Sequence, residues 1–209
     1  MPFTLSHAVL APPLSKLSKG HLPIAALAIG CMTPDLYRLF TQANIALTHQ
    51  WSGLLFPNLP IGLFFCLLWY FIYRPVSYRF LGLKDPLQIN SFDDVVAFSL
   101  MNCFAIMLGT ATHLIWDGLT HLDFRTFAFR DFLAQEIALF GFHYPLHFIL
   151  QISSSILALP FIFLMCKSYY AKHKQTQPVP INIKWFISIS LVISIVSGLL
   201  SIWDYSHHI

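Results

Sequence analysis

At 209 residues the chain has the length of one compact unit. Hydrophobic residues make up 56% of it and charged residues only 10%, against roughly a quarter in an ordinary soluble domain. The net charge of +3 is small and dispersed, which leaves no footprint for nucleic acid and points to an integral membrane protein.

The first apolar stretch, Leu22 to Met32, is about half the length needed to cross a bilayer. Thr33-Pro34-Asp35 follows, and Pro34 disfavours a helical residue before it. A short N-terminal helix is expected, either re-entrant or a fifth span. If it spans, His7 lies on the cytoplasmic side; if it is re-entrant, His7 and Asp35 can both approach His113. Lys16 and Lys19 ahead of the run and Gly30-Cys31 at its end have the outline of a lipoprotein leader. Ala28 stands where Leu is expected and the leader would be long, so this helix is expected to stay.

Four stretches are long enough to span, given about 20 apolar residues per crossing: Leu54 to Tyr73, Val95 to Trp116, Leu146 to Cys166 and Ile183 to Trp203. Trp51, Trp69, Tyr73, Trp116, Tyr144, Tyr169, Tyr170, Trp185, Trp203 and Tyr205 bracket them, as residues of the headgroup level do. Residues 122–144 interleave Phe124, Phe127, Phe129, Phe132 and Leu133 with Arg125, Arg130, Asp131 and Gln135. That suits a helix lying in the membrane surface, or a loop helix with its Phe face on the bundle. Residues 167–182 read as a flexible cytoplasmic linker before the last span. The expected fold is all-α: a single membrane-embedded domain over 1–209, with four spans plus the N-terminal helix.

Arg74, Arg79 and Lys84 follow the first long span, and Lys167, Lys172, Lys174 and Lys184 surround the linker. Both connections lie on one side, which the excess of Lys and Arg marks as cytoplasmic. The opposite side carries Arg125 and Arg130, accompanied by Asp123, Asp131 and Glu136. The end that carries them is expected to face outward.

His113, Asp117 and His121 lie at i, i+4 and i+8 at the outer end of the second span. On a helix they share about 80° of arc. Two imidazoles and a carboxylate so spaced fit a divalent metal, and polar groups at membrane depth are costly unless they pair or bind something. The competing reading is a helix-end cluster held by mutual hydrogen bonds. Asp35 could complete a site or merely open a helix, His49 could be an ordinary interfacial histidine, and His7 stands near the chain start. His147 and Gln151 share one face of the third span. Ser153-Ser154-Ser155 within that span can bond a neighbouring helix or their own preceding carbonyls. Cys31, Cys66, Cys103 and Cys166 are dispersed and read as small hydrophobes.

These residues resemble an uncharacterised bacterial membrane family, domain of unknown function 4184. The opening Met1-Pro-Phe-Thr-Leu-Ser-His7 is similar to the family's start, and Ile29-Gly-Cys-Met-Thr-Pro-Asp35 to its Gly-x-Met-x-Pro-Asp motif. His49 through Leu54-Leu-Phe-Pro-Asn-Leu-Pro60 resembles its His-x-x-x-Gly-Leu segment, and His113-Leu-Ile-Trp-Asp117 with Thr120-His121 its His-x-x-x-Asp-x-x-Thr-His signature. Tyr144-Pro-Leu and Gln151-Ile-Ser-Ser154 fall where the family has a Gln and a Ser pair. Ala8, Gln50 and Ile152-Ser153 depart from the pattern, and the last of these puts a role for the Gln151 region in doubt.

The family's layout is similar to that of inner-membrane metal-dependent hydrolases and, beyond them, zinc-dependent phospholipase C. The hydrolases' Arg-Gly and Thr-His-Ser survive here only as Thr48-His49. Position by position, the resemblance nominates His7, Asp35, His49, His113, Asp117 and His121 as metal ligands. Asp35 and His49 are also candidates for the general base. Imidazole and carboxylate donors suit Zn, and equally Mn or Fe. The expected function is a membrane-embedded metal-dependent hydrolase of phosphoester or lipid-linked substrates drawn from the lipid bilayer. The alternative is a non-catalytic membrane protein, either a metal-binding scaffold or a small-solute or ion transporter.

Overall fold

The computed structural model describes residues 4–39, 46–139, 141–175 and 179–207 and is mostly helical. Residues 1–3 of the opening motif, 176–178 of the expected linker and 208–209 lie outside the described residues. A 3₁₀ stretch, Thr4–Leu10, leads into α1 (Ala11–Leu17), and α2 (Ile24–Leu36) returns beside it. Next come α3 (Leu59–Leu68), α4 (Arg74–Leu81), α5 (Phe92–Thr120) and a single turn, α6 (Arg130–Leu133). A hairpin of β1 (Glu136–Leu139) and β2 (Phe142–Pro145) pairs Glu136 with Pro145 and Leu139 with Phe142. The chain then enters α7 (Leu146–His173) and α8 (Ile181–His207).

Among the described residues three helical rods are long and apolar enough to cross a membrane: Trp51–Leu81, Phe92–Thr120 and Leu146–His173. The protein itself buries only 17%, 28% and 11% of their apolar windows. Phe, Leu and Ile cover the rest, an apolar surface far beyond the few hundred Å² that soluble proteins expose. The fourth expected span falls in α8, where Ile181–Ile193 is a shorter apolar helix. Most side chains beyond it lie outside the described residues.

Several elements differ from the sequence reading. Pro34 does not end α2, which continues to Leu36. Proline cannot donate to the carbonyl four residues back, that of Gly30, but the Thr110 hydroxyl of α5 donates to this oxygen instead, at 3.2 Å. The linker expected from residue 167 is helical to His173, with Lys172 and His173 in the last turn, where cations suit the helix dipole. Beyond it, Lys84 N–H donates to the His173 carbonyl at 2.9 Å and Gln175 N–H to that of Gly82 at 2.7 Å, tying the two basic connections together. Residues 122–144 hold a turn, α6 and the hairpin rather than one surface helix, because Gly141 (φ +84°) and extended residues break any helical run. In the first rod Phe56 is extended (φ −144°, ψ 121°), as a residue before proline tends to be.

What positions the site is the pairing of α2 with α5, the most extensive helix contact among the described residues. A Cβ on Gly30 would stand 2.4 Å from the Ile106 carbonyl oxygen, and one on Gly109 2.4 Å from that of Leu27. Lacking both, the two backbones touch, as small residues allow in membrane helices. Ala11, Ala26, Leu27, Ile29, Cys66, Ala105 and Ile106 form the core around this contact. α5 itself begins at a capping box, in which Ser91 accepts from Asp94 N–H at 3.2 Å and the Asp94 carboxylate accepts from Ser91 N–H at 2.9 Å.

Candidate metal centre

The close approach of α2 and α5 fixes His113. Its Nδ1 lies 2.8 Å from the Cys31 carbonyl, which can only accept, so Nδ1 carries a proton, and the neutral form of the ring, the form that ligates a metal, leaves Nε2 bare. That Nε2 is buried without a hydrogen-bond partner and lies 3.4 Å from Asp117 Oδ2, one helical turn on. Asp117 is fully buried, and its Oδ1 also has no hydrogen-bond partner. The i, i+4 spacing therefore does bring His113 and Asp117 together.

His121 leaves the helix. It is the C-cap of α5 with extended backbone (φ −114°, ψ 156°), and its Nδ1 turns back to the Asp117 carbonyl at 3.2 Å. By the same logic its Nε2 is bare, buried and without a hydrogen-bond partner. Its ring borders the site, with Nδ1 3.6 Å from Asp117 Oδ1.

The N-terminal segments complete the cluster. Thr4–Leu10 lays the His7 ring on that of His113, centroids 4.1 Å apart, with Nε2 3.8 Å from Asp117 Oδ1. Ser6 anchors the segment by donating to the Ser155 carbonyl of α7 at 2.9 Å. Asp35, in the last turn of α2, receives the Thr4 hydroxyl at 2.8 Å and faces His49 Nε2 at 3.2 Å. His49 Nε2 is also 3.7 Å from Asp117 Oδ2, and the Thr48 hydroxyl lies 3.1 Å from its Nδ1. Asn58 secures this turn by donating to the Thr48 carbonyl at 2.8 Å. Two donor groups result among the described residues, His7–His113–Asp117 and Asp35–His49–His113, each with its ligand atoms within 4.8 Å of one another.

Burial pushes the His7 pKa down to about 3, with neighbouring His113 adding to the shift. Burial likewise lowers His121 to about 4. Both rings are neutral near pH 7 and offer lone pairs. Burial opposes the charge of Asp35, but the hydrogen bond from His49, nearby His113 and the Thr4 hydroxyl outweigh it and hold the carboxyl below the usual range.

A divalent metal fits these residues on three counts. His113 and Asp117, which share a donor group, each carry a bare buried atom, Nε2 and Oδ1, and the bordering His121 carries another at Nε2. The donor separations of 3.4 to 3.8 Å approach the ~3.3 Å edge of a tetrahedron with bonds of about 2.0–2.1 Å. The backbone carbonyls holding both Nδ1–H groups are the outer-shell partners that metal-binding histidines use.

Two residues escaped the sequence reading. Arg125 Nη1 donates to Asp117 Oδ2 at 3.1 Å, although the sequence marks it only as a loop charge. Thr4 gives no signal beyond its place in the opening motif. Farther out, Gln151 donates to the Thr120 carbonyl at 2.7 Å and closes the end of α5, whereas His147 turns toward the Leu133 carbonyl. Ser153 and Ser154 bond their own preceding carbonyls, Ile149 and Gln151.

No curated protein and no solved structure matches the chain. A family profile described as Domain of unknown function (DUF4184) matches residues 1–208. With nearly its whole length covered, this chain belongs to the DUF4184 family.

Proposed function

We propose that the protein is a membrane-embedded hydrolase that uses a divalent metal, Zn or one of its close substitutes Mn and Fe. The observation that carries this reading is that His113 and Asp117 of α5, each with a bare, buried donor atom, converge with donor atoms of His7, Asp35 and His49 from other parts of the chain. His7, His113 and Asp117 would hold the ion, with His121 at its border. When bound, such an ion supplies Lewis acidity, making water acidic enough to act as a nucleophile near neutral pH and polarising a phosphoryl oxygen.

Asp35 and His49 make a pair of a different kind. The carboxylate faces Nε2 at 3.2 Å, so that nitrogen carries a proton between Asp35 and Asp117. An imidazole oriented by a carboxylate is suited to hold and pass a proton, and His49 is assigned that part. A phosphoester or lipid-linked substrate is inferred from the setting: the cluster sits at one end of three membrane-length rods. We place that end on the outer face of an inner membrane, with α8 as a fourth span. The hairpin of α1 and α2 is taken as re-entrant, because Thr4–Leu10 and the end of α2 both return to His113.

One observation favours a non-catalytic cluster: Arg125 already balances Asp117. Elemental analysis of purified protein separates the readings. Near-stoichiometric Zn, Mn or Fe in wild type, absent from the His113→Ala/Asp117→Ala variant, is expected. No metal in either after reloading would overturn the metal reading.

A further inference from the structure

Arg125 is held by more contacts than an incidental loop cation. Its Nε donates to both carboxylate oxygens of Asp123 at 3.0 Å, Nη2 donates to Asp123 Oδ2, and Nη1 reaches Asp117. The turn presenting it is built by side chains. Thr126 donates to the His121 carbonyl at 2.6 Å and accepts from Asp123 N–H at 3.1 Å, and Arg125 N–H donates to Asp123 Oδ1 at 2.9 Å. Gly118 permits the fold-back, for a Cβ there would stand 2.0 Å from the Phe127 ring and 3.2 Å from the Arg125 carbonyl oxygen.

A guanidinium has five N–H donors in a planar fork. Three are engaged here, and one on each Nη has no acceptor among the described residues. The side chain keeps 15% of its surface exposed, so Arg125 borders the cluster without being sealed within it. Asp117 and Asp123 contact this guanidinium and Asp35 lies across the cluster on His49, so with the imidazoles neutral, as ligation requires, three carboxylates against one arginine leave two negative charges, which one divalent cation matches. Arginine beside a metal is well matched to the oxygens of a phosphate group, which it receives through paired N–H donors. Phe124 and Phe127, both more than half exposed, flank the same turn and give an acyl chain an apolar path.

We propose that Arg125 is the anion-binding residue of this site: it receives an oxygen of a phosphate group, free or on a lipid, beside the metal held by His113 and Asp117. This rests on the metal reading above.

The test loads wild type, Arg125→Ala and Arg125→Lys with Mn²⁺ in an uncharged detergent and first reads metal content. Phosphorus NMR then follows paramagnetic broadening of inorganic phosphate in one arm and of short-chain phosphatidic acid in another. Metal retained in all three proteins, with phosphate affinity lowered about tenfold or more in Arg125→Ala and less in Arg125→Lys, is expected. Broadening stronger for phosphatidic acid assigns the anion to a lipid headgroup, and equal broadening assigns it to phosphate as such; either supports the proposal. Unchanged affinity in Arg125→Ala overturns this proposal alone. Metal lost from Arg125→Ala overturns it too, because the residue then builds the metal site. Metal absent from wild type overturns the metal reading and this one with it.

Discussion

At the scale of single residues the cluster includes two imidazoles kept neutral by burial, His7 and His121, and their neutrality has a consequence for pH. The His7 pKa falls from 6.5 to about 3 on folding, and that of His121 to about 4. Between those values and 6.5 the unfolded chain binds protons that the folded chain does not, so acidification favours unfolding. Metal-stripped protein is expected to lose thermal stability progressively from pH 7 to 4.5. His7→Gln, which cannot titrate, is expected to flatten part of that fall. A flat profile in the wild type, measured by differential scanning fluorimetry in detergent, would contradict the buried neutral rings. Thr110 offers a second test of the same scale. Thr110→Val leaves the Gly30 carbonyl unsatisfied opposite Pro34 and should cost about 1–3 kcal/mol. The loss should appear in a melting curve, with metal content retained if α2 keeps its place.

At the scale of elements the site depends on how closely α2 and α5 approach. Gly30→Val and Gly109→Val each place carbon against a backbone carbonyl oxygen, so the helices must separate. Overpacking of this kind costs about 1–3 kcal/mol, and separation also withdraws the Cys31 carbonyl from His113. Both variants should melt lower and bind metal less tightly than wild type, read by competition with a metal-sensitive dye. Unchanged metal affinity would mean that His113 does not rely on that carbonyl. The periodicity of α5 made His113 and Asp117 legible, since an i, i+4 pair needs only one helix. His121 looked like the third member of that face, but capping turned its backbone extended and its ring aside. Arg125 was hidden for a related reason: its place depends on Thr126, Asp123 and the missing Cβ of Gly118, none of which has a periodic signature. The hairpin at residues 136–145 was illegible because its strands are only four residues long and fully or partly exposed, with no alternating buried face.

At the scale of the whole molecule the charged residues of the three rods, Arg74, Arg79, Asp93, Asp94, Asp117, Lys167 and Lys172, all fall toward the rod ends. Arg74, Arg79, Lys84, Lys167, Lys172 and Lys174 gather where Lys84 N–H meets the His173 carbonyl. The opposite end holds the metal cluster, the hairpin and a mixture of Arg125 and Arg130 with Asp123, Asp131 and Glu136. Positively charged connections stay in the cytoplasm because they resist transfer across the bilayer, so the cluster is expected to face outward. Single cysteines at Phe142 in the hairpin and at Lys172 beside the basic clasp test this directly. They would be placed in a chain whose Cys31, Cys66, Cys103 and Cys166 are replaced by alanine. Both positions are exposed, so access to reagent reports the side of the membrane rather than burial in the protein. A membrane-impermeant maleimide applied to spheroplasts should label Phe142→Cys and spare Lys172→Cys until the cells are lysed. The reverse pattern would put the cluster in the cytoplasm, where its substrate would have to come from the inner leaflet or from solution. Labelling of both before lysis would mean that the rods do not separate two compartments.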